Sequence, residues 1–267
     1  MGFLAEIVRE TRAAVGRPDY LSSLGPPRPR PSSGRFRRAV DAAGGDGALI
    51  VEFKRVSPGS EAPRLPVRSA PEFVRRTEPG GVAAYSCVAS IPRFDGAPAD
   101  VAAVVEATPR PVLFKDFVVD PRQLDAAAQV GADAVLLIAR LESEGLLTDS
   151  LATLAAGAHA RGLGVLLEFH DRTELKLAAS VAADMYGVNV RNLDTLRMEP
   201  RVADATIAAA GGLRPLLGLS GVATPSDARR LWDAGVDGIL VGSSVARASD
   251  PGRFLQSLHR TRARESP

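Results

Sequence analysis

Eight short apolar runs, each followed by a segment of helical period, constrain this chain more than any other feature of it. They are ALIVEF (48–53), VAAYSCV (82–88), PVLFK (111–115), AVLLI (134–138), GVLLEF (164–169), MYGVNV (185–190), RPLLGL (214–219) and DGILVG (237–242). Runs of this length, rich in Val, Ile and Leu, read as buried strands. The segments between them, such as DPRQLDAAAQVG and TPSDARRLWDAG, open on Asp, Thr, Ser or Pro and close on Gly, as capped helices do. Eight such βα units predict an α/β chain whose residues 47–267 form a (β/α)8 barrel. An open doubly wound sheet is the competing architecture. It has to explain why no strand is left over and why no G-x-G-x-x-G of dinucleotide type follows the first run.

Residues 1–46 precede the repeats. Phe3, Leu4, Ile7 and Val8 give residues 2–15 a helical pattern, and GPPRPRPSSG (25–34) reads as a stiff connector in preference to a proline-rich ligand for a partner domain. The barrel therefore carries an N-terminal helical extension. The 33 basic and 31 acidic side chains nearly cancel, so a pI of about 9.0 implies no nucleic-acid surface. Acidic residues interrupt the opening MGFLAEIVRE, and nowhere do roughly 18 apolar residues run together, so neither a leader nor a membrane span is expected. The expected location is the cytoplasm. A single cysteine, Cys87, in an apolar run, leaves no internal disulfide and is expected to be buried. His159, His170 and His259 share no ligand spacing, so no metal site is expected and each reads as structural or solvated, His170 as an outward or loop residue.

In such a barrel the chemistry collects at the C-terminal ends of the strands. Side chains two apart on a strand share a face, so Ile50, Glu52 and Lys54 point one way while Val51 and Phe53 point the other. A carboxylate and an amine at the last inward positions of a buried strand are either a structural ion pair or groups that face a substrate. Lys115 ends the third run, Glu168 the fifth and Asn189 the sixth. Two lysines and two glutamates at one mouth can tune one another into acid and base roles. After the seventh and eighth runs come Ser220-Gly221 and Gly242-Ser243, small residues with free backbone N–H groups. They are either plain tight turns or a phosphate cradle, and their position at strands seven and eight favours phosphate. A small phosphorylated substrate is the expected ligand.

VEFKRVSP, PVLFKDFVVD, GADAVLLIA, LLEFHD, GVNVRNLDTL and VGSSVAR resemble, in order and separation, the successive motifs of the indole-3-glycerol phosphate synthase family, over roughly residues 3–250. The resemblance implies a cofactor-free carboxy-lyase of tryptophan biosynthesis, converting 1-(2-carboxyphenylamino)-1-deoxyribulose 5-phosphate to indole-3-glycerol phosphate, carbon dioxide and water. It makes Lys115 the general acid and Glu168 the proton acceptor. Lys54 holds the substrate carboxylate and serves as an acid in the later dehydration, Glu52 orients and balances the lysines, and Asn189 fixes a substrate hydroxyl. It places Pro58, Phe94, Phe117, Leu136, Leu193 and Val241 along an apolar wall for the aromatic ring, with Ser57 and Arg191 near the substrate. A monomer or weak homodimer, touching neighbouring pathway enzymes at most, is the expected assembly.

The chain also departs from the family's pattern. Leu219 stands where a Glu is usual, Ala89-Ser90 replace a Thr-Glu pair, and Gly59-Ser60-Glu61 replace Ser-Lys-Gly. A related lyase or isomerase with an altered substrate, and a non-catalytic metabolite-binding barrel, therefore stand beside the synthase as alternatives.

Overall fold

The computed structural model describes residues 2–28, 34–60, 62–90 and 92–260. Eight parallel strands run β1 Ala48–Phe53, β2 Ala84–Val88, β3 Val112–Lys115, β4 Ala134–Ile138, β5 Gly164–Phe169, β6 Met185–Asn189, β7 Leu216–Leu219 and β8 Gly238–Val241. They close into a barrel in sequence order, and β1 pairs β8 through Ala48 with Gly238 and Val51 with Val241. Closure excludes the open sheet. Each strand falls within the apolar run read for it, trimmed by at most two residues.

Alternation along the strands sorts the core into two shells. Ile50, Leu113, Leu166 and Leu217 fill the barrel interior. Val51, Phe53, Val135, Val165 and Ile239 face outward and pack under the helices with Leu124, Leu154 and Leu231. Cys87 belongs to this outer shell and is buried. The barrel helices are α3 Ala70–Thr77, α4 Pro98–Ala107, α5 Pro121–Gln129, α6 Ala139–Ser143, α7 Leu151–Ala160, α8 Arg172–Ala178, α9 Pro200–Ala209, α10 Pro225–Ala234, α11 Ser243–Arg247 and α12 Pro251–Gln256. Their caps are those legible in the sequence. Asp120 accepts from the Arg122 amide at the start of α5, and Thr224 from the Asp227 amide at the start of α10.

The N-terminal extension contains the expected helix, α1 Phe3–Val15, and a second, α2 Arg35–Ala43, that the sequence reading did not separate from the linker. The two sit at opposite ends of the barrel. Glu6 and Glu10 of α1 hold Arg93 at 2.9 Å each, in the loop after β2, on the C-terminal face. Arg35 and Arg37 of α2 reach Asp133 Oδ1 and the Asp184 carbonyl, both at 2.9 Å, just before β4 and β6 on the other face. Leu4, Ile7, Val8, Phe36 and Val40 join the same apolar cluster as the barrel interior. Between the helices, Arg28 binds Glu106 at 2.7 Å at the end of α4; residues 29–33 of the Pro-rich connector lie outside the described residues.

Gly96 closes the loop that carries Phe94. Its amide donates to the Ser90 carbonyl at 3.1 Å, and a Cβ there would sit on the Val88 carbonyl oxygen, well inside contact distance. Backbone cannot step aside as a side chain can. Gly96→Ala is expected to cost about 1–3 kcal/mol, read in a thermal melt as a Tm lower by about 3–10 °C; an unchanged Tm would show that this loop yields freely.

Candidate active site

At the C-terminal end of the barrel the odd strands place one more inward residue each above the leucine and isoleucine layer. These are Glu52 on β1, Lys115 on β3, Glu168 on β5 and Leu219 on β7, the four-member layer that a barrel of this kind builds from alternate strands. Three of the four are ionisable. Glu52 is 3% exposed and lies between two lysines, with Lys54 Nζ donating to its Oε1 at 2.6 Å and Lys115 Nζ 3.5 Å from its Oε2. Burial pushes the Glu52 carboxyl up, but the ammonium groups of Lys54 and then Lys115 outweigh it and hold the group down at about 2. Glu52 is thus a fixed negative charge. Burial works to lower the Lys115 ammonium, while Glu52 and Glu168 overcome that and raise it, so Lys115 keeps its proton.

Glu168 has the opposite balance. It is 2% exposed, and burial raises its carboxyl against the opposing pull of Lys115 and of the Asn189 amide. Asn189 Nδ2 donates to Glu168 Oε1 at 2.8 Å, while Asn189 Oδ1 accepts from the Arg191 amide at 3.0 Å. Asn189 therefore orients Glu168 through the amide for which the family resemblance implies a substrate hydroxyl. The other oxygen, Glu168 Oε2, is buried and has no hydrogen-bond partner among the described residues. Its free lone pairs can accept a proton.

Two adjoining cavities open here. The inner cleft, of about 70 Å³, is lined by Glu52, Lys54, Lys115, Glu168 and Asn189, and by Ser57, Pro58, Phe94, Phe117, Leu136, Arg191, Leu193 and Ser220. Phe94 and Phe117 meet with ring centroids 5.9 Å apart, forming an aromatic wall. The outer cavity, of about 830 Å³, takes Glu52, Lys54, Arg191 and Ser220 as its shared edge and adds Gly221, Val241, Gly242 and Ser243. Every residue expected to act on or bind the substrate thus lies at one mouth. Val241, read as part of the aromatic wall, sits on the outer side, because β8 borders the turns after β7 and not the Phe94 loop.

The turns after β7 and β8 are tightly built. Ser220 and Gly221 have φ of 65° and 77°, and a Cβ on Gly221 would come within 3.0 Å of Val190. Ser243 Oγ donates to Ser57 Oγ at 3.1 Å, and Ser244 Oγ to the Val222 carbonyl at 2.7 Å, which tie the eighth turn to the first and the seventh. Phe3, Val88, Ser90, Asp116, Ile138 and Leu196 also line the inner cleft and were missed. Ile138 was findable, being two residues beyond Leu136 on the same strand face. Phe3 was not, since nothing local says that α1 lies over the mouth.

Leu219 lines neither cavity; it is 1% exposed and packs over Gly187, where a Cβ would meet its Cδ1 at 2.7 Å. His170, read as an outward or loop residue, stands in the loop between β5 and α8 and is buried there, with Glu199 and β6 supplying partners for both ring nitrogens. Its Nδ1 is 2.7 Å from the Asn189 carbonyl and its Nε2 2.8 Å from Glu199 Oε2.

Residues 5–258 match the family model for indole-3-glycerol phosphate synthase. The chain belongs to the indole-3-glycerol phosphate synthase family. An indole-3-glycerol phosphate synthase of Aromatoleum aromaticum is 36% identical over 230 residues, covering 86% of this chain and 85% of its own length. Indole-3-glycerol phosphate synthase 2 of Streptomyces coelicolor is 35% identical over 266 residues, covering 96% and 98%. Among solved structures, the thiamine phosphate pyrophosphorylase of Pyrococcus furiosus superposes with a TM-score of 0.58 at 18% identity, over 81% of this chain and 95% of that one, which shows the shared barrel. No helix among the described residues is long and apolar enough to cross a membrane. Within an indole-3-glycerol phosphate synthase family member, the Leu219 departure sits in the packed layer and the Ala89-Ser90 departure at the cleft edge.

Because burial raises the Glu168 carboxyl, the folded state holds that proton more tightly than the unfolded chain, and ionised Glu168 costs stability above its folded value. Glu168→Gln removes the cost and keeps an oxygen for Asn189. The variant is expected to melt above the parent at pH 7, the gain vanishing as the pH falls below the ordinary carboxylate range. A parent that melts higher at pH 7 would mean that Lys115 stabilises the ionised Glu168 outright.

Proposed function

We propose that this site closes and aromatises the indole ring of indole-3-glycerol phosphate, starting from 1-(2-carboxyphenylamino)-1-deoxyribulose 5-phosphate. One observation carries the reading: two ammonium groups on a shared buried carboxylate face, across one aromatic-walled cleft, a buried carboxylate oxygen with no partner among the described residues. An anionic substrate needs the cations, and the loss of a proton needs the base.

The carboxyphenyl ring lies against Phe94 and Phe117, its carboxylate towards Lys54. As the ring carbon bearing the carboxylate attacks the ribulose carbonyl, Lys115 gives its proton to the carbonyl oxygen. Glu52, locked as an anion, holds both lysines in place without competing for that proton. The carboxylate leaves as carbon dioxide, its bonding electrons restoring the benzene ring. The new hydroxyl then departs as water with a proton from Lys54, and Glu168 takes the proton lost from the five-membered ring. Asn189 keeps Glu168 aimed. The phosphate rests on the backbone of Gly221, Gly242 and Ser243, next to Arg191. A substrate carrying both a carboxylate and a phosphate does not cross bilayers unaided, which suits an enzyme of the cytoplasm.

Lys115→Ala is expected to lower the rate on this substrate on the order of 100- to 10,000-fold while leaving its binding largely intact. The assay follows indole fluorescence, and a variant within threefold of the parent rate removes Lys115 from the mechanism. Inorganic sulfate is expected to compete with substrate, and crystals grown with it to show an anion on Gly221, Gly242 and Ser243. An anion bound elsewhere in the mouth, with these turns bare, contradicts the placement.

A further inference from the structure

Behind Lys115 lies a buried carboxylate that the chemistry above does not use. Asp116 is 6% exposed and lines the inner cleft on one side. On its other side is a separate cavity of about 10 Å³, lined by Thr11, Ala14, Val15, Tyr20, Ala89, Pro92 and Asp116. Asp116 is thus the partition between the two spaces. Its Oδ1 accepts from the Phe117 amide at 2.9 Å and its Oδ2 from Gln123 Nε2 at 2.8 Å. Gln123, fully buried, also donates to the Phe117 carbonyl at 2.9 Å and accepts from the Val119 amide at 2.8 Å. The loop that follows Lys115 is therefore laced to its own helix through Asp116, and it carries Phe117 into the cleft.

Two polar atoms in this cavity's wall have no hydrogen-bond partner among the described residues, Thr11 Oγ1 and Tyr20 Oη, both on buried residues of the N-terminal extension. Leaving a buried hydroxyl unpaired costs about 1–3 kcal/mol, so two in one wall call for an explanation. A cavity of this size accommodates the centre of a single water, and a water needs two to four polar partners. Thr11, Tyr20 and Asp116 provide three. A carboxylate has about four lone-pair sites, of which the Phe117 amide and Gln123 of α5 take two and the Ser90 hydroxyl draws on a third, so a water donating to Asp116 and accepting from both hydroxyls satisfies all parties. Burial raises the Asp116 carboxyl against the pull of Gln123, the Phe117 amide, Ser90 and Lys115.

We propose that this cavity seats one ordered water joining Thr11 and Tyr20 to Asp116, and that Thr11 and Tyr20 are positioning residues for Lys115. The N-terminal extension then does more than cover the mouth, because it braces from behind the loop that presents the general acid. The kinetic part of this inference rests on the function proposed above, whereas the water itself does not.

The experiment pairs a high-resolution crystal structure with kinetics of Tyr20→Phe, Thr11→Val, their double variant and Thr11→Ser. The parent is expected to show one water within hydrogen-bond distance of Tyr20 Oη, Thr11 Oγ1 and Asp116, and the double variant to lack it. The double variant is expected to lose roughly tenfold in kcat with KM within about twofold, as a misplaced acid requires, while Thr11→Ser keeps the parent rate. If the double variant does not fold, Tyr20→Phe, which removes one oxygen, carries the same test with a smaller loss. A parent cavity without water, with Tyr20 bonded directly to Asp116, overturns the proposal; so does a folded variant lacking the water but turning over at the parent rate. A parent without activity on the carboxyphenylamino substrate refutes the proposed function and leaves the water to be decided by the electron density.

Discussion

The carboxylate of Glu52, taken out of water between two lysines, is the constraint around which the rest of the site is arranged. Desolvating an ion costs several kcal/mol, and removing one partner of a buried pair costs about 3–5 kcal/mol. The arrangement therefore survives only where both lysines are held within reach. That requires the ends of β1 and β3 to converge, which closure of the barrel ensures. It also requires the eighth turn to come in without a side chain, since a Cβ on Gly242 would lie 3.1 Å from both Glu52 Cβ and Oε1. One carboxylate thus sets the positions of two cations and the approach of the backbone beside them.

Glu52 and Glu168 differ in what surrounds them rather than in how deeply they are buried. Both are almost wholly excluded from solvent, yet Glu52 is pinned by two ammonium groups and Glu168 by one amide. Burial wins at Glu168 and loses at Glu52, which separates a permanent anion from a group free to take up a proton. Leu219, the fourth member of the layer, adds no third carboxylate to this balance.

The strands, the barrel and the five charged or amide groups at its mouth were legible because each is written in local pattern. Alternation fixes which face Glu52 or Glu168 occupies, and position at a strand's end fixes the height. What could not be read depends on contacts between distant segments. Phe3 reaches the cleft only because α1 docks there, His170 is buried only because Glu199 comes to meet it, and the bond from Asn189 to Glu168 requires knowing which amide atom points where. Val241 lines the outer cavity and not the inner cleft, which no local pattern around residue 241 distinguishes. Helix α2 was hidden in a stretch whose apolar signal is two residues, Phe36 and Val40.

The bond from Ser57 to Ser243 spans nearly the whole barrel in sequence, joining a turn after the first strand to one after the last. During synthesis, therefore, the two lysines and the buried glutamate are made long before the segment that completes their surroundings. A chain made only as far as residue 237 lacks the strand that pairs Ala48–Val51 of β1, and with it the Gly242 backbone that lies against Glu52. The last strand to be made thus both closes the barrel and completes the surroundings of the first turn.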